Sequence, residues 1–242
     1  MEWIYGRNVV KLALAPGARR RVHRLVATAP ALGALAGALP AAVPRATVTT
    51  IELDELVGTH EHQGVALQVD AFPYADATEL LAGEILVVLD EVTDPHNLGA
   101  VARSVLAAGA TGLVLPKHRS AHVTAAAVKA SAGTLELLPV AQVTNVVAFL
   151  KEAKAAGFWV YGAAGDAAAS YLDLDLTGRV VLVAGAEGRG LRPLVARTCD
   201  ALASIPMAAP VDSLNVSVAT ALLLYEARRQ RLASPGGSHG AA

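Results

Sequence analysis

The sequence has a single cysteine, Cys199. One thiol excludes an intrachain disulfide and a cysteine-rich zinc site. It also suits a reducing compartment, and we expect a buried, apolar environment for its side chain.

The sequence also lacks a long, uninterrupted apolar run of the kind that spans membranes, although residues 25–44 resemble one. Residues 25–44 carry no charge and follow an arginine, so a membrane span or a twin-arginine export signal has to be considered. The segment is mostly alanine and glycine and is interrupted by Pro30 and Pro40. Leucines recur in it at helical spacing, at Leu32, Leu35 and Leu39. We therefore predict a short amphipathic helix in a soluble, cytoplasmic protein that does not bind a membrane.

An excess of positive charge, common in nucleic-acid-binding domains, is absent from the chain as a whole. The 20 lysines and arginines are balanced by 21 aspartates and glutamates, which argues against a nucleic-acid partner. The distribution argues the other way, because Glu2 is the one acid within residues 1–50. The basic residues there are Arg7, Lys11, Arg19, Arg20, Arg21, Arg24 and Arg45. They form either a phosphate-binding face or a solvated charge run.

The 242 residues, 54% of them apolar, are enough for one large core and a smaller second domain. Over residues 1–70, the pattern predicts helices at GRNVVKLALA and ALGALAGAL and strands at RVHRLVATA, ATVTTIE and GVALQVD. This alternation is typical of a small α/β domain. Residues 71–83, with Pro73 and scattered acids, are predicted to be a linker.

From Glu84 onward, continuous apolar runs alternate with helical patterns. The runs are EILVVLD, GLVLP, FWVYGAA, RVVLVAG and ALASIPM. Such runs indicate parallel strands that are buried on both faces, so helices should cover each side of the sheet. Ligands bind such sheets beyond the carboxyl ends of the strands, and the polar motifs of this sequence follow the runs directly.

The first motif, LDEVTDPHNLGAVARSVLAAGATGLVLPK, covers residues 89–117. Asp94 is suited to cap a helix and Pro95 to its first position, where a missing N–H costs nothing. The apolar stripe of this helix is Leu98, Val101, Ala102, Val105 and Leu106. Arg103 lies off the stripe and Asn97 lies in the first turn. Each either faces a ligand or has a local role, as an exposed arginine and a capping residue.

The second motif, VVLVAGAEGRGL, is a strand that runs into Gly185, Gly188 and Gly190. A dinucleotide site is unsupported, because the spacing is G-x-x-G-x-G and because Glu187 would repel a pyrophosphate. A glycine turn that bears a carboxylate suits a ligand with hydroxyls or a positive charge. A plain tight turn has the same pattern.

The third motif, SIPMAAPVDSLNVSVATALLLYEARRQR, begins where a strand ends in apolar side chains and free backbone groups. Ile205, Pro206 and Met207 form this end. Such a surface suits a flat heterocycle that is recognised by main-chain hydrogen bonds.

A last helix is predicted after this strand, with Asp212 or Ser213 as its cap. It is apolar nearly all round from Val216 to Leu224, so it is buried either within the fold or against another subunit. Ser213 and Asn215 would then lie at the helix start, near the glycine turn and the first motif.

Together the three motifs resemble those of the SPOUT superfamily of RNA methyltransferases, in particular the TrmH-like branch that methylates ribose 2′-hydroxyls. N-L-G-x-x-x-R, G-x-E-x-x-G and S-L-N-V-S-V-A occur in that family's order over residues 84–231. DPHNLGA, IPMA and EARRQR are most similar to bacterial enzymes that modify a guanosine of 23S ribosomal RNA. WIYGRNVV and HQGVA resemble the small substrate-binding domain of those enzymes, which is similar to ribosomal proteins of the L30e kind.

The resemblance implies an α/β fold in four parts. Residues 1–70 would form the L30e-like RNA substrate-binding domain, 71–83 a linker, 84–232 a SPOUT methyltransferase domain and 233–242 a disordered tail. The SPOUT domain would have a parallel sheet and a carboxyl-terminal trefoil knot. The family further implies S-adenosylmethionine as the cofactor, no metal, ribosomal RNA as the partner and an obligate homodimer.

The resemblance also assigns roles by motif position. The cofactor would be bound by Gly185, Ile205, Met207 and Leu214. The catalytic residues would be Asn97, Arg103, Glu187, Ser213 and Asn215. The RNA-binding residues would be Arg7, Arg19, Arg20, Arg21 and Arg24. Because a guanidinium stays protonated, Arg103 is expected to stabilise a developing alkoxide rather than act as a base.

Several alternatives remain open from the sequence. One is an enzyme of the same family that acts on tRNA or on another rRNA nucleotide. Another is a catalytically inactive RNA-binding protein for ribosome assembly, which the presence of Asn97, Arg103 and Asn215 argues against. A nicotinamide-dependent oxidoreductase is weakened by the glycine spacing.

Overall fold

The computed structural model describes residues 1–35, 37, 39–210 and 213–233. Its strands are β1 (Glu2–Tyr5), β2 (Val22–Ala27), β3 (Arg45–Thr47), β4 (Val65–Val69), β5 (Ile85–Asp90), β6 (Gly112–Pro116), β7 (Val140–Val143), β8 (Trp159–Ala163), β9 (Ala169–Ser170), β10 (Val180–Gly185) and β11 (Ala201–Ser204). Its α-helices are α1 (Arg7–Ala13), α2 (Ala29–Leu35), α3 (Thr50–Val57), α4 (Ala77–Leu80), α5 (Pro95–Ala108), α6 (Ala125–Ala130), α7 (Val146–Ala155), α8 (Pro193–Thr198) and α9 (Val216–Ala233). The predicted disordered tail, residues 233–242, lies outside the described residues except for Ala233, which ends α9.

Strands β1–β4 form a sheet in the order β1-β4-β2-β3, which we call the small sheet. The strand predicted at ATVTTIE is wrong in its second half, because helix α3 begins at Thr50. Thr49 Oγ1 accepts a hydrogen bond from Glu52 N at 3.2 Å, and the Glu52 carboxylate accepts one from Thr49 N at 2.8 Å. This capping box satisfies two backbone donors and starts a helix where β-branched residues favour a strand. Strand β1 was not predicted.

Strands β5–β11 form the large sheet, in the order β7-β6-β5-β10-β8-β11-β9, and every pair in it is parallel. All five predicted runs form strands, while the short strands β7 and β9 were not predicted. Alternate residues of β5 enter two different cores. Val87 and Leu89 pack with α5 and α9, whereas Leu86 and Val88 pack with α7 and α8. The prediction of a parallel sheet with helices on both faces is confirmed.

Helix α5 follows β5 and begins where it was predicted to begin. Asp94 caps it by accepting a hydrogen bond from His96 N at 2.8 Å, and Pro95 occupies the first turn. Gly109 ends it in a left-handed conformation, with φ of 79°. Four residues of the predicted stripe are buried. Because α5 follows the end of β5, its first turn lies at the carboxyl edge of the sheet.

Helix α9 is buried on one face only. Leu223 and Leu224 are buried, whereas Val218, Leu222 and Tyr225 are exposed. The cap is Asn215, whose Oδ1 accepts a hydrogen bond from Ser217 N at 2.8 Å, and not Ser213. The other predicted cap, Asp212, lies outside the described residues.

The segment predicted as a linker, residues 71–83, contains α4 and packs against both sheets. Phe72 is buried in the core that the two sheets share, and Leu80 is buried in the core under α7. Ala75 N donates a hydrogen bond to Val140 O at 2.8 Å. The domain boundaries remain predictions.

A buried ion pair joins the small sheet to the helical layer of the large sheet. Arg20 Nε donates to Glu136 Oε2 at 2.9 Å, and its Nη2 pairs with the other carboxylate oxygen. The two side chains are 1% and 0% exposed. Nearby, a Cβ on Gly133 would lie 2.8 Å from Val9 Cα, so the backbones approach at a distance that only glycine permits.

Two further expectations concern Cys199 and the membrane. Cys199 is half-buried against the core under α7, where burial raises the pKa of its thiol to about 11. Among the described helices, none is both long enough and apolar enough to span a membrane.

Candidate functional site

A pocket opens at the carboxyl edge of the large sheet, where β8, β10 and β11 end, and we call it the edge pocket. It is lined by the four predicted cofactor-binding residues, Gly185, Ile205, Met207 and Leu214. Glu187 and Ser213, two of the predicted catalytic residues, line it as well. Six positions from two segments, one at the end of β10 and one between β11 and α9, therefore meet at one cavity.

The glycine turn after β10 forms one wall of the edge pocket. Gly190 N donates a hydrogen bond to Ala186 O at 2.8 Å, which closes the turn back on the strand end. A Cβ on Gly185 would overlap the carbonyl group of Gly190 and the nitrogen of Leu191. Gly185 is therefore required by this close backbone approach, and the turn leaves Glu187 exposed at its tip.

The chemistry of the edge pocket fits a ligand with a flat heterocycle and a polar or cationic arm. Most other lining residues are alanine or glycine, so backbone N–H and C=O groups reach the cavity, while Ile205 and Met207 add apolar walls. The carboxylate of Glu187 and the hydroxyl of Ser213 are the polar side chains. The empty space, including the part open to solvent, is about 790 Å³. These properties fit S-adenosylmethionine.

Asn97 and Asn215, which are 118 residues apart in sequence, are hydrogen-bonded to each other. Asn215 Nδ2 donates to Asn97 Oδ1 at 2.9 Å. Asn215 Oδ1 accepts from both the backbone nitrogen and the hydroxyl of Ser217, at 2.8 and 2.6 Å. The bond links the first turn of α5 to the start of α9, beside the edge pocket, and fixes the amide orientation of both asparagines.

A second, charged cavity adjoins the edge pocket and shares Glu187 and Gly190 with it. Asn97, Glu91 and Arg192 also line this cavity. Sequence reasoning missed the acidic pair at the end of β5, although an aspartate and a glutamate directly after a buried strand are a usable signal.

Buried Asp90 organises this cavity through Arg192. Its carboxylate accepts from Arg192 Nε at 2.8 Å and from Arg192 N at 3.0 Å. The hydrogen bonds to Asp90 raise the pKa of the Arg192 guanidinium, which therefore remains charged. Glu91 pairs with Arg119 at 3.2 Å on the other side.

Arg103 does not line either cavity. It lies exposed on α5, on the helix face that also carries Ala100 and Ser104. Ala100 and Ser104 line a shallow groove between α5 and α9, which we call the α5–α9 groove. Its α9 side is formed by Ser217, Val218, Ala221, Leu222 and Tyr225. Within one chain, Arg103 therefore lies outside the two cavities that Asn97, Glu187 and Ser213 line.

The five predicted RNA-binding arginines differ in their environments. Arg7, Arg21 and Arg24 are exposed, and Arg19 is half-buried with Nη2 donating to Pro73 O at 3.2 Å. Arg20 is buried, and its guanidinium is occupied by Glu136 and Glu2. The RNA-binding prediction is wrong for Arg20, since no part of its charge is available to a phosphate.

Two family models match this chain. The SpoU rRNA Methylase family model matches residues 84–225. The chain belongs to this family. A second model, described as RNA 2′-O ribose methyltransferase substrate binding, matches residues 3–75, so the two matches coincide with the large and the small sheet.

Individual relatives agree with the family. The chain is 48% identical to the 23S rRNA (guanosine-2′-O-)-methyltransferase RlmB of Xanthomonas campestris, over 76% of this chain and 77% of that protein. It is 45% identical to an uncharacterized tRNA/rRNA methyltransferase of Mycobacterium ulcerans, over 78% of this chain, and spans 63% of that protein's length.

Among solved structures, the SpoU methyltransferase AviRb from Streptomyces viridochromogenes, in complex with its cofactor AdoMet, superposes with a TM-score of 0.81 and 28% identity. The match covers 96% of this chain and 91% of that chain. The predicted family and its two-sheet α/β fold are confirmed. Among the described residues, no group of three or more histidines, cysteines or acids is placed to hold a metal.

Proposed function

We propose that this protein transfers a methyl group from S-adenosylmethionine to the ribose 2′-hydroxyl of a guanosine in 23S ribosomal RNA. The observation that carries the proposal is the edge pocket, where all four predicted cofactor residues meet beside the Asn97–Asn215 pair. The RlmB relative supports the choice of guanosine and of 23S rRNA. Such an enzyme works in the cytoplasm, where ribosomes are assembled.

The residues of the edge pocket would bind the cofactor largely through their backbone. Ile205 and Met207 enclose the heterocycle, and Gly185 keeps the pocket wall free of side-chain atoms. Glu187 accepts hydrogen bonds from the polar arm or faces its positive charge. When bound, S-adenosylmethionine supplies an electrophilic methyl group.

Arg103 is the proposed stabiliser of the ribose oxygen as it loses its proton. A guanidinium remains protonated at physiological pH, so it serves as a cation and hydrogen-bond donor and not as a base. Preorganised donors aimed at a developing oxyanion are among the largest contributions to catalysis. The proton passes to an RNA phosphate or to water.

The position of Arg103 supports a homodimer formed through the α5–α9 groove. Arg103 is exposed beside this groove and outside the edge pocket of its own chain. The exposed side chains of Val218, Leu222 and Tyr225 give the groove an apolar surface that a second copy would cover. In such a dimer, Arg103 acts on RNA bound at the partner's edge pocket.

The remaining predictions complete the proposed architecture. Residues 1–70 select the RNA through exposed arginines, residues 71–83 link the two domains, and residues 84–232 catalyse the methyl transfer. Arg7, Arg21 and Arg24 are the principal phosphate contacts, with Arg19 partly available. The trefoil knot predicted from the resemblance remains a prediction.

Mapping of 2′-O-methylation on total RNA after deletion of the gene tests the function. We expect one guanosine of 23S rRNA to lose its methyl group, and the purified protein to restore it with S-adenosylmethionine. A lost methyl group on tRNA would support the family alternative instead. Unchanged methylation with defective ribosome assembly would support the non-catalytic alternative.

A further inference from the structure

Three side chains form a straight row across the small sheet. Trp3 on β1 is paired with Gln68 on β4, and Gln68 is paired with Arg24 on β2. Residues that are directly opposite each other on paired strands project from the same face of a sheet. The row is therefore one surface that an aromatic ring, an amide and a guanidinium share.

Contacts within the row hold the Arg24 guanidinium in place. The Arg24 guanidinium carbon lies 5.1 Å from the centroid of the Trp3 ring. Arg24 Nε donates a hydrogen bond to Gln68 Oε1 at 3.0 Å. A guanidinium that is fixed over an aromatic ring presents a planar outer face without the entropy cost of ordering a free side chain.

The row lies just beyond the part of this face that a helix covers. The adjacent row, Tyr5, Ala66 and Val26, packs with Leu53 of α3 and is buried. Arg24, by contrast, is exposed, and Trp3 and Gln68 are half-buried. The surface is therefore open to a ligand at the edge of a packed core.

The free charge around the row is positive. Arg21, three residues before Arg24 in the sequence, is also exposed. Among the acids at these strand ends, Glu2 is paired with Arg20 at 3.0 Å. The Asp70 carboxylate is hydrogen-bonded to His23 at 2.6 Å and is outnumbered by the two exposed arginines, Arg21 and Arg24. The surroundings therefore favour a polyanion that also carries planar groups, which is the chemistry of RNA.

We propose that Trp3, Gln68 and Arg24 form a stacking platform for an unpaired base of the RNA substrate. The inference rests on the proposed function and names the contact by which the small sheet holds RNA. A base stacks on the planar guanidinium and indole surface, while the Gln68 amide and the remaining Arg24 donors reach its edge or its phosphate. Paired bases cannot enter, because both of their faces are already stacked.

Fluorescence of Trp3 in the full-length protein tests the platform. The chain has two tryptophans, so Trp159→Phe leaves Trp3 as the single reporter. The probes are a stem–loop RNA with an unpaired loop and the same RNA closed into a continuous duplex. We expect the loop RNA to quench Trp3 and the duplex to leave it unchanged. No quenching by the loop RNA, or equal quenching by both RNAs, would overturn the proposal.

A matched pair of substitutions separates stacking from charge. Arg24→Lys and Arg197→Lys both keep the charge, but only the first removes the planar group from the row. We expect Arg24→Lys to weaken binding of the loop RNA about tenfold or more, as for loss of one stacked base. Arg197→Lys, at an exposed site on α8, should leave this binding nearly unchanged. Equal affinities for the two variants would contradict the platform.

Methylation assays separate failure of this inference from failure of the proposed function. If Trp3→Leu methylates 23S rRNA with unchanged kcat/KM, the platform is wrong while the proposed function stands. If the unsubstituted protein binds S-adenosylmethionine but methylates no RNA, the proposed function fails on its own. We expect a higher KM with little change in kcat for Trp3→Leu, because the platform binds RNA away from the reacting atoms.

Discussion

The two sheets present polar groups in different ways. The large sheet is buried on both faces, so its functional groups lie in the loops at its carboxyl edge. The small sheet leaves part of one face open, and functional side chains such as Arg24 project directly from its strands. A buried parallel sheet thus builds a cavity for a small ligand, whereas a partly covered mixed sheet offers a surface for a polymer.

Arg20 and Arg24 show the same contrast within one segment. Arg20 is turned toward the large sheet and is neutralised by Glu136, whereas four residues later Arg24 faces away and is exposed. One arginine joins the two parts of the molecule and the other is available to RNA. Residue type therefore does not decide which role a basic side chain takes.

Breaking the buried ion pair should have the largest effect on stability. Glu136→Ala leaves the Arg20 guanidinium buried with only Glu2 as its partner, and we expect a loss of about 3–5 kcal/mol in the free energy of unfolding. Urea unfolding measures it. Arg24→Ala, at an exposed site, is the control and should change stability by less than about 0.5 kcal/mol. Similar values for both variants would show that the junction does not hold the two sheets together.

Arg103→Ala tests whether Arg103 has the proposed catalytic role. We expect a loss of about a hundredfold or more in the methyl-transfer step, the scale of removing one oxyanion donor, with normal cofactor affinity. Arg103→Lys should restore little, because lysine lacks the planar fork. Single-turnover methylation with a preformed enzyme–RNA complex measures the step. Arg197→Ala, an exposed arginine on α8, is the control, and a near-normal rate for Arg103→Ala would remove Arg103 from the mechanism.

Gly185→Ala tests whether the close backbone approach shapes the edge pocket. The added methyl overlaps the Gly190 carbonyl group, so the turn must shift, and overpacking of this kind costs about 1–3 kcal/mol. We expect roughly tenfold weaker binding of S-adenosylmethionine by titration calorimetry, with RNA affinity unchanged. Gly178→Ala is the matched control, since nothing lies within 4 Å of a Cβ at that position. Unchanged cofactor affinity in Gly185→Ala would place the cofactor elsewhere.

Asn97→Ala should have the smallest effect on stability. The variant removes one neutral hydrogen bond between α5 and α9, which is worth about 1 kcal/mol. Urea unfolding measures this loss, and the methylation rate shows whether Asn97 has a further role. Asn145→Ala, which removes the cap of α7, is a control with a similar cost to stability and no link to the site. A fall in rate in the control would trace the effect of Asn97→Ala to stability alone.

Much of the large sheet could be predicted because its signals are local. Five apolar runs became strands, and the Asp94–Pro95 start of α5 is a cap within a few residues of the helix that it begins. The small sheet was predicted less well. At Thr49–Glu52, a capping box overrode the strand propensity of the surrounding residues, and the short strand β1 forms only because β4 is beside it.

The candidate site also has features that the sequence predicted and features that it did not. The motifs placed Gly185, Ile205 and Met207 at or just after strand ends, which meet at one edge of a parallel sheet, so the convergence of these three residues followed from the sheet itself. Leu214 joins them from the segment just before α9. The Trp3–Arg24 contact could not be predicted, because it depends on the register of three strands. A local sequence pattern does not specify how neighbouring strands are aligned with each other.

The sequence by itself determined five of the seven strands of the large sheet, the amino-terminal cap of α5 and the loops that carry the cofactor motifs, because each depends on neighbours a few residues away. Only the tertiary structure decided that Arg20 is buried against Glu136, 116 residues later, and that Asn97 is hydrogen-bonded to Asn215. It also decided that Arg103 lies outside the edge pocket of its own chain. These outcomes depend on how helices and sheets pack, which sets burial and direction for side chains whose local sequences look alike.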